Sequence, residues 1–216
     1  MSKGRFITLE GGEGAGKSTL ARALAARLVE AGYSTRTTRE PGGSPKAEAI
    51  REMILAGHAK EYGSFAEALM FSAARIDHIE TLIRPALDRG EWVICDRFID
   101  STRVYQGVLG KIDRALLAEL EAVTIAGLIP DLTLILDLDP EIGLARAAKR
   151  RRPGEAVDRF EGETLAFHRN LRQAYLDIAG REPRRCVVLD AALPPDELAE
   201  AAWQAMSKRL QIKPEA

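Results

Sequence analysis

The stretch that decides the fold is Gly11-Gly12-Glu13-Gly14-Ala15-Gly16-Lys17-Ser18, which matches the pattern G-x-x-x-x-G-K-[ST] at every position. It lies between the apolar run Phe6–Leu9 and a helical repeat that begins at Leu20. In such a strand–loop–helix setting, backbone N–H groups and the helix N-terminus can surround phosphate oxygens. The lysine can reach the β- and γ-phosphates, and the serine hydroxyl can bind Mg²⁺. The stretch, with Thr19 after it, therefore predicts a nucleoside triphosphate site.

Short apolar runs alternate with stretches of helical spacing along the rest of the chain. Beyond the first run, the predicted strands are Ser34–Thr38, Trp92–Cys95, Leu132–Leu138 and Cys186–Leu189. Helical spacing is present near residues 20–31, 50–54, 65–83 and 116–123, after Asp139-Pro140, and over 160–179 and 194–210. Strands separated by helices pair in parallel through crossovers. We therefore expect an α/β fold, with a five-stranded parallel sheet, helices on both faces and one domain over residues 1–216.

The composition excludes several classes of protein. The 216 residues carry 31 Lys and Arg against 32 Asp and Glu, a net charge of −1, which argues against a general nucleic-acid or membrane binder. No apolar run approaches the ~20 residues of a membrane span. The two cysteines, Cys95 and Cys186, have neither metal-site nor redox spacing. Buried, reduced thiols are expected, which fits a cytoplasmic protein.

A second pair of charged residues follows a predicted strand. Asp96-Arg97 comes directly after the apolar run Trp92–Cys95. Sites in parallel α/β sheets lie beyond the carboxyl ends of the strands, so this pair should face the phosphate loop. The acid can orient Mg²⁺ or its water shell, and the arginine can hold an acceptor phosphate in a bidentate grip. Asp137 and Asp190 also follow strands, with a weaker claim to function.

Two acidic residues accompany the phosphate loop. A negative charge beside a triphosphate is unfavourable. Glu13 should therefore point away from the nucleotide phosphates or bind a hydroxyl group. For Glu10, a place near the metal and an ordinary hydrogen bond to the loop are equally compatible with the sequence.

The densest basic region lies around the turn signal Pro153-Gly154-Glu155. A run of this kind is usually a solvated helix face. Here a lid over about 146–160 could instead close over the triphosphate and neutralise the charge that develops during transfer. The basic residues are Arg146, Lys149, Arg150, Arg151, Arg152 and Arg159.

Several segments together resemble the thymidylate kinase family, from Phe6 to about Asp190 and in the family's order. The resemblance implies the P-loop kinase fold and transfer of the γ-phosphoryl group of ATP to dTMP, with Mg²⁺. The segments are Glu10–Ser18, Arg39–Gly43, Phe71-x-x-Ala74-Arg75, Asp96–Gly107, Pro130–Thr133 and Asp158-Arg159-x-Glu161.

The resemblance also implies roles for individual residues. In the acceptor site, Phe71 would stack on thymine, Arg75 would reach a base carbonyl and Thr102 would lie near the ring N3. Tyr105 would lie under the sugar and disfavour a 2′-hydroxyl, and Glu13 would accept the 3′-hydroxyl. The full set implied for dTMP is Glu13, Arg39, Phe71, Arg75, Arg97, Thr102, Tyr105 and Gln106; Ser18 and Asp96 are the expected metal residues.

The family has two arrangements of a catalytic arginine, one in the phosphate loop and one in the lid. This chain has Gly14 at the loop position, so it resembles the bacterial arrangement with lid arginines. By resemblance, Arg150 joins Lys17 and Arg97 as a catalytic residue, with Arg151 and Arg152 as alternatives, and Arg146 lies near the adenine. The family is also homodimeric, and apolar faces over 65–83 could form the contact.

Two other functions compete with dTMP phosphorylation. One is a related kinase for another pyrimidine nucleotide or small molecule, because burying a methyl group contributes only ~0.8 kcal/mol and discriminates poorly against dUMP. The other is a nucleotide-dependent switch protein. The sequence contains no N-K-x-D guanine signal, and a second arginine site fits an acceptor phosphate better than a partner surface.

Overall fold

The computed structural model describes residues 4–150 and 160–212 and contains, in that part of the chain, one five-stranded sheet. All neighbouring strands pair in parallel, in the order β2-β3-β1-β4-β5. This confirms the fold expected from the sequence. The strands are β1 (Phe6–Gly11), β2 (Thr35–Arg39), β3 (Trp92–Asp96), β4 (Leu132–Asp137) and β5 (Cys186–Asp190).

Helices cover both faces of the sheet, within the described residues. They are α1 (Lys17–Glu30), α2 (Pro45–Leu55), α3 (Gly63–His78), α4 (Arg84–Asp88), α5 (Ile99–Thr102), α6 (Arg114–Ile125), α7 (Pro140–Arg150), α8 (Leu165–Arg181) and α9 (Pro195–Leu210).

Alternation of side chains along the central strands produces the two-sided core. Ile7 points into the layer formed with α1 and α9, whereas its neighbour Phe6 packs with Ile79, Ile83 and α4 on the opposite face. In β4, Leu134 belongs to the first layer and Ile135 packs against α8. Successive side chains of a strand point to opposite faces, so strands covered on both sides appear as continuous apolar runs.

Three local features differ from the sequence expectations. The helical stretch expected over 65–83 continues beyond residue 83, because a widened π turn (Ile79–Ile83) leads directly into α4, which has Pro85 in its first turn. Residues 99–109, unassigned from sequence, form α5 and a second π segment (Arg103–Leu109). The last long helix before β5 begins at Leu165 rather than Phe160, because Thr164 is its N-cap and accepts from the N–H of Phe167.

In the described part of the chain, none of the helices combines the length and apolar character that crossing a bilayer requires. Cys95 and Cys186 are buried free thiols, as expected.

Candidate active site

A cavity of about 250 Å³ opens at the carboxyl ends of β1, β2 and β3. It brings together most of the residues that the sequence singled out. Those that line it are Glu13–Thr19, Arg39, Phe71, Arg75, Asp96, Arg97, Thr102, Tyr105, Gln106 and Arg150. Gly11 and Gly12 instead line a small cavity of about 20 Å³ on the other side of the loop.

The phosphate loop adopts a backbone that depends on glycine at two close approaches. Gly11 has a φ of 137°, and a Cβ there would lie 2.5 Å from the carbonyl oxygen of Leu136 in β4. Gly14 has a φ of 66°, and a Cβ there would collide with the carbonyl oxygen of Gly143 in α7. Position 14 therefore has no room for an arginine side chain.

Lys17 is buried at the start of α1 and folds over the loop. Its Nζ donates to the carbonyl oxygens of Gly11 at 3.1 Å and Gly12 at 2.8 Å. Burial and then repulsion from Arg97 lower the pKa of Lys17. The ammonium group is thus held within the loop by weak carbonyl partners, which phosphate oxygens can replace.

Ser18 and Asp96 meet at the mouth of the loop. The Ser18 hydroxyl donates to Oδ2 of Asp96 at 2.6 Å, although 77 residues separate the two in sequence. β1 and β3 are neighbours with Leu9 opposite Asp96, which brings the two strand ends together. Hydroxyl and carboxylate oxygens are hard ligands that suit Mg²⁺. In the described residues no group of three or more His, Cys, Asp or Glu forms a metal cage, so phosphate oxygens and water would complete a site here.

Arg97 lies between the loop and the rest of the cavity. It has a φ of 71°, and its Nη2 donates to Oε1 of Glu13 at 2.6 Å. Burial alone would raise the pKa of Glu13, but attraction by Arg97 and Lys17 outweighs it and leaves that pKa lowered. Glu13 therefore carries its charge against a guanidinium group, which resolves the expected conflict with the nucleotide phosphates.

Glu10 holds the turn that carries Arg97. Its Oε1 accepts from the backbone N–H groups of Phe98 at 2.8 Å and Ser101 at 3.2 Å. Its Oε2 accepts from the hydroxyls of Ser101 at 2.7 Å and Tyr175 at 3.0 Å. These hydrogen bonds go to the turn after β3 and to α8, and not to the phosphate loop, as one of the two sequence-based alternatives for Glu10 expected. Burial and the nearby Asp100 raise the pKa of Glu10 to about 7, against the lowering effect of these donors.

The far wall of the cavity holds a second buried arginine, on α3. Arg75 donates from Nε to Glu40 at 2.6 Å and from Nη2 to the Thr102 hydroxyl at 3.0 Å and the Phe98 carbonyl at 3.1 Å. Its Nη1 is buried and has no hydrogen-bond partner among the described residues. Nearly every buried donor in a folded protein has an acceptor, so Nη1 is suited to meet one supplied by a ligand.

Aromatic residues and an amide complete this wall. Phe71, one turn before Arg75 on α3, is partly exposed to the cavity. Tyr105 lies beneath Arg97, with the guanidinium carbon 5.3 Å from the ring centre, and packs edge-on against Phe160. Gln106 is buried and donates from Nε2 to Glu67 at 2.8 Å.

Basic residues lie at two rims of the cavity. Arg39, at the end of β2, is paired with Glu48 at 3.0 Å. Arg150 is exposed at the end of α7, with its Nη2 3.9 Å from Glu161. Arg146 lies outside the cavity lining and donates to the carbonyl of Ala191 at 3.0 Å. Of the other lid residues considered, Arg151, Arg152 and Arg159 lie outside the described residues.

The two weaker candidates have structural partners. Asp137 forms a two-bond ion pair with Arg172 at 2.6 and 2.8 Å, and Asp190 accepts from the N–H of Ala192 at 2.8 Å.

Sequence reasoning left several cavity and supporting residues without a role. Glu40 directly follows β2 and could have been found by the rule that drew attention to Asp96, the last residue of β3, because both lie at the carboxyl end of a strand. Tyr175 has no such signal, because it is one of many residues at helical spacing in α8. The remaining unassigned lining residues include Pro41, Arg51, Leu55, Phe98, Ser101, Phe160 and Glu161.

Comparisons with known proteins agree with this geometry. A thymidylate kinase from Rhodopseudomonas palustris is 60% identical over 209 residues, covering 96% of this chain and 90% of that protein. One from Bradyrhizobium diazoefficiens is 56% identical over 212 residues, with 98% and 92% covered. The crystal structure of thymidylate kinase from Ehrlichia chaffeensis superposes with a TM-score of 0.76 at 31% identity, covering 94% of this chain and 99% of that one.

The thymidylate kinase family model matches residues 9–202, a span that contains the phosphate loop, the Asp96-Arg97 turn and the Arg75 wall. Because the match and the high identities extend over nearly the whole chain, this protein belongs to the thymidylate kinase family.

Proposed function

We propose that this protein transfers the γ-phosphoryl group of ATP to dTMP, giving dTDP and ADP. The observation that carries the proposal is the placement of two anion-binding groups in one cavity. Lys17 belongs to the phosphate loop, and Arg97, whose Nη2 is 2.6 Å from Glu13 of that loop, faces the same space. Such an arrangement can hold a donor triphosphate and an acceptor monophosphate end to end. Phosphoryl transfer depends chiefly on this positioning and on charge stabilisation.

On the donor side, the loop Gly11–Ser18 with Thr19 would surround the phosphates of ATP. Its backbone N–H groups and the N-terminus of α1 supply positive potential. Lys17 would exchange its two carbonyl partners for phosphate oxygens. Arg146 would lie on the adenine side, a role supported by its bond to Ala191 in the loop after β5.

On the acceptor side, Arg97 would bind the dTMP phosphate, assisted by Arg39 at the rim. Glu13 would accept a hydrogen bond from the sugar 3′-hydroxyl, and its lowered pKa keeps the carboxylate ionised for that purpose. Tyr105 would close the space beneath the sugar. Its ring already packs under Arg97, which favours a deoxyribose over a sugar with a further hydroxyl.

The base would lie between Phe71 and the Arg75 wall. Phe71 offers a ring face for stacking. The buried Nη1 of Arg75 offers donors for a pyrimidine carbonyl. The Thr102 hydroxyl accepts one bond from Arg75 and keeps another lone pair for the ring N3–H. Gln106 lies beside this site, with its side-chain amide held by Glu67.

Mg²⁺ is the cofactor we propose, held by Ser18 and, directly or through water, by Asp96. Their 2.6 Å contact already gathers two oxygen ligands of the type that Mg²⁺ prefers. When bound, the ion would neutralise charge on the β- and γ-phosphates.

Charge stabilisation by the protein would come from three cations. Lys17, Arg97 and Arg150 all line the cavity. Arg150 is near enough to contribute to the lowered pKa of Glu13. An arginine that enters such a site can be worth roughly 10³–10⁵ in rate. We assign that role to Arg150, with Arg151 and Arg152, outside the described residues, as alternatives.

We also propose a cytoplasmic homodimer. Three large apolar side chains of α3 are exposed: Phe65 is 40%, Leu69 45% and Ile76 43% exposed. Exposed apolar patches of this kind mark interaction surfaces. Two buried, unpaired cysteines fit a reducing compartment.

One assay tests the reaction. Purified protein is incubated with Mg·ATP and each nucleoside monophosphate in turn, and ADP is followed. We expect fast turnover with dTMP, slower turnover with dUMP and little with AMP, GMP or CMP. Hydrolysis of ATP that does not depend on any acceptor would instead support a nucleotide-dependent switch.

A further inference from the structure

We infer that Glu40 is a positioning residue for the acceptor base, holding Arg75 through a buried hydrogen-bond relay that continues to His78 and Thr38. The inference rests on the proposed function, because it assigns Arg75 to the base of the acceptor. It assigns a role to three residues, Glu40, His78 and Thr38, to which the sequence analysis gave none.

The first step is the way Arg75 is fixed. A guanidinium group is planar, with its N–H groups in a rigid fork. Glu40 holds Nε at 2.6 Å, while Thr102 and Phe98 hold Nη2 at 3.0 and 3.1 Å. Because the group is planar, fixing Nε and Nη2 also determines the direction of Nη1. The direction of Nη1, which has no partner among the described residues, is therefore set by these contacts.

The second step is burial. The side chains of Arg75 and Glu40 are only 2% and 3% exposed. A buried cation needs a bonded counter-charge, and removing one member of such a pair is far more damaging than its net stabilisation suggests. Phe98 and Thr102 supply neutral acceptors, so Glu40 is the carboxylate that contacts Arg75 directly.

The third step is the support of Glu40 itself. Its second oxygen lies 3.2 Å from Nδ1 of fully buried His78, and Nε2 of His78 lies 2.7 Å from the hydroxyl oxygen of Thr38. A carboxylate can only accept, which places a proton on Nδ1. In the neutral ring Nε2 then accepts from the Thr38 hydroxyl. One set of protons therefore satisfies the whole relay.

The backbone around the relay is held in place by a hydrogen bond and by close packing. The N–H of Glu40 donates to the carbonyl of Asp96 at the end of β3, at 2.9 Å. Gly43 has a φ of 86° and packs directly on the His78–Thr38 bond, where a Cβ would collide with Nε2 of His78. Side-chain contacts thus connect the end of β2 to Nη1 of Arg75, the atom that would face the base. Each oxygen of Glu40 already accepts a hydrogen bond from the protein. We therefore infer that Glu40 acts on the base through Arg75 and not by direct contact.

The test compares Glu40→Gln, Arg75→Met and the double variant by initial rates, with dTMP and ATP varied separately. The glutamine keeps the shape of Glu40 but removes the negative charge that faces the Arg75 guanidinium, so that the hydrogen bond to Nε of Arg75 loses its charged acceptor. Loss of a charged hydrogen bond corresponds to roughly 10–100-fold. We expect Glu40→Gln to raise KM for dTMP by at least about tenfold and to leave KM for ATP within about twofold.

The double variant separates positioning from general damage. If Glu40 acts through Arg75, the double variant has the same KM for dTMP as Arg75→Met alone. Multiplied effects would overturn the inference, as would a KM for dTMP in Glu40→Gln within twofold of wild type. Glu91→Gln is the matched control. The Glu91 carboxylate accepts from Arg36 and Arg89 outside the cavity, so both KM values should stay unchanged in this variant.

A milder variant keeps the inference testable if Glu40→Gln does not fold. In His78→Asn the amide replaces Nδ1 as donor to Glu40, and the contact to Thr38 is lost. We expect KM for dTMP to rise about two- to fivefold, with KM for ATP unchanged, as expected for loss of one neutral hydrogen bond. An unchanged KM for dTMP would overturn the relay. If wild-type protein itself failed to turn over dTMP, the proposed function would fail instead.

Discussion

Arg97 and Glu13 form an ion pair of 2.6 Å, with both side chains less than a fifth exposed. The pair connects the turn after β3 to the phosphate loop, although 83 residues separate the two in sequence. Arg97 also donates to the carbonyl of Gly11 at 3.2 Å. Arg97, which we propose for the acceptor phosphate, is therefore bonded directly to the loop that we propose for the donor.

Arg97→Lys should be severely impaired, because a lysine keeps the charge but loses the planar fork that can contact Glu13 and a phosphate together. We expect kcat/KM for dTMP to fall by about 10²-fold or more, the range for loss of a positioned transition-state donor. ATP binding, measured by calorimetry without acceptor, should persist. Arg36→Lys on the surface of β2 is the control. Near-normal rates in Arg97→Lys would remove Arg97 from the site.

Glu13→Gln tests the assignment of this carboxylate to the sugar. We expect wild type to prefer dTMP over its 3′-deoxy analogue, because only dTMP can donate a 3′-hydroxyl proton to Glu13. A charged hydrogen bond of this kind is worth roughly tenfold or more. The preference should shrink in Glu13→Gln. The measurement is kcat/KM for both acceptors in both proteins, and an undiminished preference in the variant would contradict the assignment.

Lys17→Ala should abolish transfer. The side chain is buried within the loop, bonded to two carbonyl oxygens, and no other lysine lines the described cavity. We expect dTMP-dependent ADP formation to fall by at least about 10³-fold, as for removal of a preorganised cation from developing charge. Lys46→Ala, an exposed residue of α2, should retain full activity. Preserved turnover in Lys17→Ala would overturn the assignment of the loop.

Ser18→Ala and Asp96→Asn should each weaken the binding of Mg²⁺. Ser18→Ala removes the hydroxyl oxygen of the proposed site, and Asp96→Asn replaces the carboxylate that meets it at 2.6 Å with a neutral amide. We expect the Mg²⁺ concentration for half-maximal rate to rise about tenfold or more in each, a typical effect of altering a metal site. Chelation should stop the wild-type reaction, and added Mg²⁺ should restore it. A Mg²⁺ response identical to wild type in both variants would argue against this site.

The parts of the site that the sequence predicted are those encoded locally. The phosphate loop is a contiguous pattern, and Asp96-Arg97 follows a strand whose apolar run is unmistakable. Parallel strands bring their carboxyl ends to one edge, so the contact between Ser18 and Asp96 follows from two local observations. The expected helices on both faces also followed from alternating patterns.

The parts that the sequence did not predict depend on distant contacts or irregular backbone. Tyr175 bonds to Glu10 across 164 intervening residues, and nothing in its helical surroundings indicates this. The π segment over 103–109 departs from the regular helical period, so it escaped assignment. The roles of Phe71 and Tyr105 came from the family resemblance alone, because aromatic residues at helical spacing are more often core.

Glu10→Gln should change how stability depends on pH. Burial and the nearby Asp100 raise the pKa of Glu10 from 4.5 to about 7. Between those values the unfolded chain loses this proton first, so wild type loses stability as pH rises toward 7. Glutamine does not titrate. Its oxygen can accept from the N–H groups of Phe98 and Ser101, while its amide donates to the hydroxyl of Tyr175.

The melting temperature of Glu10→Gln relative to wild type should therefore increase from about pH 5 to about pH 8. Glu91→Gln provides the control, because hydrogen bonds from Arg89 and Arg36 lower the pKa of Glu91 instead of raising it. That carboxylate is ionised in both states over this range, so its difference from wild type should stay constant. A constant difference for Glu10→Gln as well would mean that Glu10 is already ionised at pH 5, with its four donors outweighing burial.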